Sequence, residues 1–574
     1  MPTFFHSSRA PHWPIELLFW GLLAWVTWAM IAPIWVGPMP PMTDFGGHVA
    51  MADVWARFDE VALYREVFEL RGGLIPNTLS ARFAGWLHPL MGTLAATRLF
   101  VSLTMLATVA ALLGALRSFE RSRWLVFVGM PFLWNGSFFW GMINFLPTLP
   151  LFFAAIALAR QLGLRGGWRR GVALALIGLV SFFAHGLGCV FVLGAAGFVL
   201  LFSLTNWRRL GHAVALLPAT SLWLFWRSAT SGGSGLPRES LLATLRRDTR
   251  WWEADKAFKE VARYALDVTA SQQDTVFAVS FLFIWLLLIG LSQRVIERSD
   301  ARAATPVRPQ VDIANDAHES SRVATLFAQI KNALSGANLQ RYLRAAYAEA
   351  RENCVLLLAI ALGMALLFFP AYILNTNIKT RVMPFFIFTL ILLPRLPRRS
   401  LLASVALGAA VVGGLMWGHY LTEHAHQFAR QEMAPIVKLS AHIPEQSRVE
   451  CLQTRPMPPP VFWFYPLDLN CPALIQLRTD SFGGFGFPST AFNPVRFRKG
   501  QGYVSLRGHG FGNLKRLRKW DYIVVRGKHR RPKASVAERV ATAKAELPDA
   551  PAWTLYRVIQ PADKSPSDPE KEDE

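Results

Sequence analysis

Residues 13–36 read WPIELLFWGLLAWVTWAMIAPIWV, a run whose single charge is Glu16. A bilayer core takes about 20 apolar residues per helix, and this stretch is long enough. Cys354 to Leu374 is a second such run and carries no charge. The first run exceeds the roughly 7–15 apolar residues of a signal peptide, and no small-x-small cleavage site follows it, so it reads as an uncleaved first span. The whole chain agrees: of 574 residues 52% are hydrophobic, with 21 Trp and 41 Phe. Only 17% are charged, against about 25% in soluble domains. The fold class expected is an all-α polytopic membrane protein of about eleven transmembrane helices.

The net charge of +22 does not point to nucleic acid, because many of the Lys and Arg residues fill short turns between apolar runs. Clusters at Arg117 to Arg123, Arg160 to Arg170, Arg208 to Arg209, Arg294 to Arg302 and Arg395 to Arg399 act there as topology signals. With all five in the cytoplasm, spans fall near 14–37, 97–116, 124–138, 143–160, 171–185, 187–205, 211–227, 275–293, 354–374, 381–395 and 401–420. The N-terminus is then cytoplasmic and the C-terminus outside. Basic groups at both ends of 171–205 favour two short helices broken at His185-Gly-Leu-Gly188.

This map divides the chain into a transmembrane domain (1–421), an extracytoplasmic α/β domain (422–561) and an acidic tail (562–574) expected to be disordered. Outer loops cover 38–96 and 228–274, and a cytoplasmic insertion covers 294–353. Within the insertion, Val323, Phe327, Ile330 and Leu334 have helical spacing and predict a surface-lying helical pair over 320–352. In the C-terminal domain, strands are expected at Arg448 to Gln453, Tyr522 to Arg526 and Trp553 to Ile559, with an amphipathic helix over Ser535 to Glu546. Cys451 and Cys471 are the two cysteines placed outside, and a disulfide between them is expected; two buried thiols is the alternative. Basic stretches at Lys515 to Lys519 and Arg526 to Lys533 read as a solvated face or as a surface for headgroups or acidic glycan.

The first outer loop opens with Thr43-Asp-Phe-Gly-Gly-His48. Asp44 and His48 stand four residues apart, one face of a helix, and His48 to Phe68 predicts an amphipathic helix lying at the interface. A carboxylate there suits proton transfer; its plainer role is helix N-cap, for Asp44 or Thr43. Asn135, Asn144, Asn77, His88 and Arg98 are placed on the same side. So are Arg246, Arg247, Asp248, Trp251, Trp252 and Glu253, the tryptophans reading as an interface belt. Lys379 and Arg381 open a span at the outer boundary, against the positive-inside trend, where they can bind phosphate or anchor by snorkelling. His185 sits at the apex of its hairpin, an ionisable residue within membrane reach. No Walker loop, dinucleotide fingerprint, HExxH or CxxC pair occurs.

Thr43-Asp44-Phe45-Gly46-Gly47-His48, Gly141-Met-Ile-Asn144-Phe145 before a long apolar run, and Arg381 opening a span resemble the C-type (GT-C) glycosyltransferase superfamily, in particular uncharacterised bacterial multi-span members. The resemblance implies a membrane enzyme that takes a sugar from a polyprenyl-phosphate donor and gives it to a glycan or lipid acceptor at the outer face of the bacterial inner membrane. It implies Asp44 as the catalytic carboxylate or as a ligand of a divalent metal ion and Arg381 as the phosphate holder; His48, His185 and Lys379 are substrate-binding candidates from their own placement at the outer boundary. The chain departs from the adjacent acidic pair that many members carry in this loop. The other readings are a non-catalytic scaffold and a transporter of a surface-polysaccharide system.

Overall fold

The computed structural model describes residues 13–231, 271–303, 351–373, 376–397, 400–453, 467–484, 493–502, 510–527, 531–545 and 551–560, with isolated positions near 249–269, 347–350, 488 and 504–506. Helices dominate. The N-terminal run forms α1 (Trp13–Trp35), followed by α2 (Phe45–Ala56), α3 (Ala62–Val67), a short strand β1 (Phe68–Leu70) and α4 (Leu79–Ser118). After a broken segment come α5 (Thr148–Arg165), α6 (Trp168–Ala184), α7 (Gly186–Ser203), α8 (Leu217–Ser231) and α9 (Gln273–Ala303). The helical part closes with α10 (Cys354–Phe368), α11 (Lys379–Ile391) and α12 (Leu401–Phe428).

The spans read from the sequence coincide in large part with helices, though the 354–374 run ends as a helix at Phe368 and passes into a short strand at Tyr372–Ile373; five helices among the described residues are long and apolar enough to cross a membrane. They include α1, α4, α7 and the 20 residues of α9 from Gln273 to Ser292. The chain is a multi-pass helical membrane protein. Between α6 and α7 a single extended residue, His185 (φ −162°, ψ 122°), breaks the apolar run into a hairpin. The 124–138 segment is not one helix. It is a series of short 3₁₀ and α turns (Arg123–Leu125, Val126–Gly129, Met130–Trp134) that is buried almost throughout. Helix α4 bends at Gly92, where φ is +75°, three residues after Pro89, so its first turns leave the line of its long apolar half.

Helix α12 continues through a π turn (Ala429–Met433) into α13 (Ala434–Ser440), so residue 421 lies inside one continuous helical run. Beyond it the C-terminal part contains β2 (Arg448–Gln453), α14 (Leu467–Thr479), β3 (Phe482–Gly483), β4 (Val495–Phe497), β5 (Tyr522–Arg526), β6 (Ala537–Ala543) and β7 (Trp553–Val558). Five strands form one sheet in the order β3-β2-β5-β7-β6, parallel around β2 and antiparallel around β7. One face of the sheet buries Val449, Val524 and Leu555, and the other buries Ile523 and Tyr556. The buried ion pair of Arg526 with Glu432 locks β5 to the π turn of the helical run. Cys451 and Cys471 form a disulfide, with Cα atoms 6.3 Å apart, that ties β2 to α14.

Two expectations from the sequence are corrected. Ser535 to Glu546 is not a helix: it contains β6, paired antiparallel with β7 from Ala537↔Val558 to Ala543↔Trp553, with a register shift between Leu555 and Tyr556. Only Ala537 and Ala543 of this edge strand are buried, so its apolar residues fit either period, and pairing decided the outcome. His48 to Phe68 is not one helix on the lipid surface. It breaks between Arg57 and Val61, and Val49, Ala50, Met51, Ala52, Asp53 and Val54 are all at most 2% exposed. Helix α2 is buried because α4 covers one side and α14 of the C-terminal part covers another. Most of the 294–353 insertion, including most of the expected helical pair, lies outside the described residues, as does the tail.

Candidate functional site

The site is built around the start of α2. Asp44 is the N-cap residue by position, yet its side chain makes no capping hydrogen bond. The Gly46 N–H donates instead to Asn470 Oδ1 of α14, at 2.8 Å. The Asn470 amide completes the arrangement by donating to the Pro40 and Met42 carbonyls at 3.2 and 3.3 Å. The plain capping role is thus filled by another residue. The Asp44 backbone is fixed from the other side: its N–H donates to Trp140 O at 2.8 Å, and Thr43 N–H donates to Phe139 O at 3.0 Å. This close approach needs Gly141, at φ +69°, because a Cβ there would stand 2.8 Å from Phe45 N and 3.0 Å from Asp44 N.

Arg381 faces this carboxylate from the first turn of α11, near enough to act on it electrostatically. Its Nη1 donates to Asn377 O at 2.6 Å, and its guanidinium lies 6.0 Å from the centre of the Phe145 ring. Its Nε is buried and lacks a hydrogen-bond partner. The Phe145 ring in turn meets His185 edge-on, centroids 5.3 Å apart. His185 Nδ1 accepts from Gly188 N–H at 3.1 Å, capping α7, so the neutral ring carries its proton on Nε2. The fold therefore brings Asp44, His48, His185 and Arg381 together from three distant segments, with His185 and Arg381 against the Phe145 ring. These four polar side chains are half-buried amid fully buried neighbours such as Phe45, Phe145 and Thr380.

Burial pushes the Asp44 carboxyl up to about 7, with Arg381 pulling the other way. Burial also drives His48 down to about 3, so it is a neutral imidazole at ordinary pH. A carboxyl that titrates near neutrality, beside a fixed cation, can take a proton from a hydroxyl and work against a bound anion. Lys379 is placed differently. It is 2% exposed, and its Nζ points to Leu367 O at the end of α10, 3.5 Å away. Among the described residues no group of three or more His, Cys, Asp or Glu side chains is disposed to hold an ion.

Other polar residues singled out in the sequence hold the frame. Asn135 caps the short helix Gly136–Phe139 through Ser137 N–H at 2.9 Å, and Asn144 is bonded to Ser80. Asn77 accepts from Gly186 N–H at 3.2 Å, and Arg98 donates to Gly37 O at 2.6 Å. His88 Nδ1 lies 2.7 Å from Thr93 Oγ. Trp251 is exposed, whereas Arg246, Arg247, Asp248, Trp252 and Glu253 lie outside the described residues. Asn470 and Phe145 were not legible as site residues. Asn470 has no motif and lies 424 positions from Gly46. Phe145 stood out only as the last residue of Gly141-Met-Ile-Asn144-Phe145.

No family model matches the sequence, and no curated protein matches it. Among solved structures, the chain is similar to ArnT from Cupriavidus metallidurans bound to undecaprenyl phosphate, at 13% identity and a TM-score of 0.42, over 97% of this chain and 100% of that one. The same protein in the apo state gives 12% identity and a TM-score of 0.40, over 95% and 97% of the two chains.

Proposed function

We propose that this protein is a membrane glycosyltransferase that moves a sugar from a polyprenyl-phosphate donor to a hydroxyl of a glycan or lipid acceptor. The observation that carries the reading is the uncapped, half-buried Asp44 carboxylate set against Arg381 in a multi-pass membrane protein. In the transfer step the acceptor oxygen attacks the anomeric carbon while Asp44 takes the hydroxyl proton. The bond between that carbon and the phosphate oxygen breaks, and its electron pair leaves with the polyprenyl phosphate. Arg381 stabilises the charge that grows on this leaving group. Neutral His48 and His185 offer hydrogen bonds to sugar hydroxyls, and the Phe145 ring gives an apolar face. No step is routed through a metal.

The reading includes a compartment: site and C-terminal domain at the outer face of the bacterial inner membrane, N-terminus in the cytoplasm. The five basic turns support it. The test is a gene deletion and an Asp44→Asn variant, with surface glycans compared by mass spectrometry and protein level checked. The reading predicts a missing sugar in both. Glycans unchanged by the deletion would sink it and favour a scaffold or transporter. Reporter fusions placing residues 38–96 and the C-terminal domain on opposite faces would sink the compartment.

A further inference from the structure

We infer that Asn470 is a positioning residue for Asp44: it takes over the capping of α2 so that the carboxylate stays turned toward the site. The inference rests on the proposed transfer reaction for its catalytic consequence, but its structural half does not. Residue 44 stands at the N-cap position, where an aspartate normally accepts from the second or third N–H of the helix. Here the second of these, the N–H of Gly46, is engaged by Asn470, which is itself fully buried. An amide is the side chain that suits this place: its oxygen accepts from Gly46, and its nitrogen donates to two carbonyls, Pro40 and Met42, of the turn before the helix. An aspartate at 470 would accept but could not donate.

The contact belongs to a longer grip. Helices α2 and α14 run side by side in the same direction, so that Gln476 Nε2 donates to Ala50 O at 3.0 Å and Asp480 receives the Arg57 guanidinium at 2.5 and 2.8 Å. With α14 held this way, loss of the Asn470 amide alone leaves the backbone in place. The open Gly46 N–H is then within reach of one group designed for such a position, the Asp44 carboxylate. Capping would hold the carboxylate in its ionised form and turn it out of the site.

The experiment is a double-mutant cycle on the purified full-length chain in detergent, read as Tm. Asp44→Ala is expected to leave Tm unchanged or raise it in the otherwise native chain. In an Asn470→Ala background the same change is expected to lower Tm by about 2 °C, since Asp44 has become the cap. Equal effects in the two backgrounds overturn the inference. If Asn470→Ala does not accumulate, the native background still decides: an Asp44→Ala chain that loses several degrees shows Asp44 bearing the helix end itself. A second readout separates positioning from mere support. The pH at which transfer reaches half its maximum should move from near 7 toward the ordinary carboxylate range in Asn470→Ala, as expected for a carboxylate that gains an N–H. Transfer with its midpoint still near 7 overturns the positioning role. Absence of transfer in every variant and in the native chain sinks the proposed reaction, while the Tm cycle still decides who caps α2.

Discussion

Helix α2 carries a carboxylate at either end, and the two are treated in opposite ways. Asp53, near the C-terminal end, is buried and receives the Tyr64 hydroxyl at 2.6 Å and the Thr93 hydroxyl at 3.0 Å, with Arg57 close by. Asp44, at the N-terminal end, caps nothing and lies near enough to Arg381 to feel its charge. Burial raises the titration of both, but at Asp53 hydroxyl donors and Arg57 work against it, whereas at Asp44 the opposing influence is Arg381. A carboxylate supplied with donors holds three elements together, here α2, α3 and α4. One left short of donors beside a cation keeps its acceptor capacity for a substrate.

The comparison breaks first at Asp44. Asp44→Asn is expected to cut transfer by about 10²- to 10⁴-fold, the range of a lost general base, with protein yield intact. Native activity should rise with pH through about 7 as the carboxyl ionises. Stability carries the opposite sign. A carboxyl raised in the fold favours the folded state below its unfolded pKa, and that advantage is lost as pH rises through about 7. The Tm of Asp44→Asn relative to the native chain should therefore climb from about pH 4 to about pH 7 and level off above it. A constant difference across that window would contradict the assignment.

Arg381→Ala is expected to lower kcat by about 10²- to 10³-fold, as for other lost charge stabilisers, and Arg381→Lys should recover only part of it because an ammonium lacks the guanidinium fork. Full recovery by Lys, measured as kcat with saturating donor, would make Arg381 a simple anchor. At the other end of α2, Tyr64→Phe removes a donor from a buried carboxylate and should cost about 1–3 kcal/mol of stability. Transfer per folded molecule should hold, and a proportional loss of both would merge the roles of the two carboxylates. His48→Gln should be the mildest, under about tenfold in kcat/KM, because His48 acts as a neutral hydrogen-bonding group and not as the base.

The parts of this arrangement that were legible in the sequence are those written in local pattern. Charge-poor runs gave the spans, and His185-Gly-Leu-Gly188 gave the hairpin, because a membrane helix needs length and its break needs a backbone signal. Asp44, His48 and Arg381 stood out because polar groups at the edge of apolar runs are conspicuous. What escaped was set by partners far along the chain. The burial of α2 depends on α14, and nothing in residues 45–56 announces a neighbour some 424 positions away. The strand Ala537–Ala543 was misread as a helix because sparse alanines and one valine satisfy both periods, and the sheet edge beside β7 made the choice.

Strand β1 pairs with β4, Phe68↔Phe497 to Leu70↔Val495, just beyond the helices that hold Asp44. The consequence concerns timing. Residues 44–70 leave the ribosome long before residues 470 and 495–497 exist, so throughout synthesis the acid waits in an unfinished setting. A nascent or prematurely stopped chain already inserted in lipid would carry its acid without the parts that aim it. Until the C-terminal part is made, α2 has no α14 against it and β1 has no β4 to pair with.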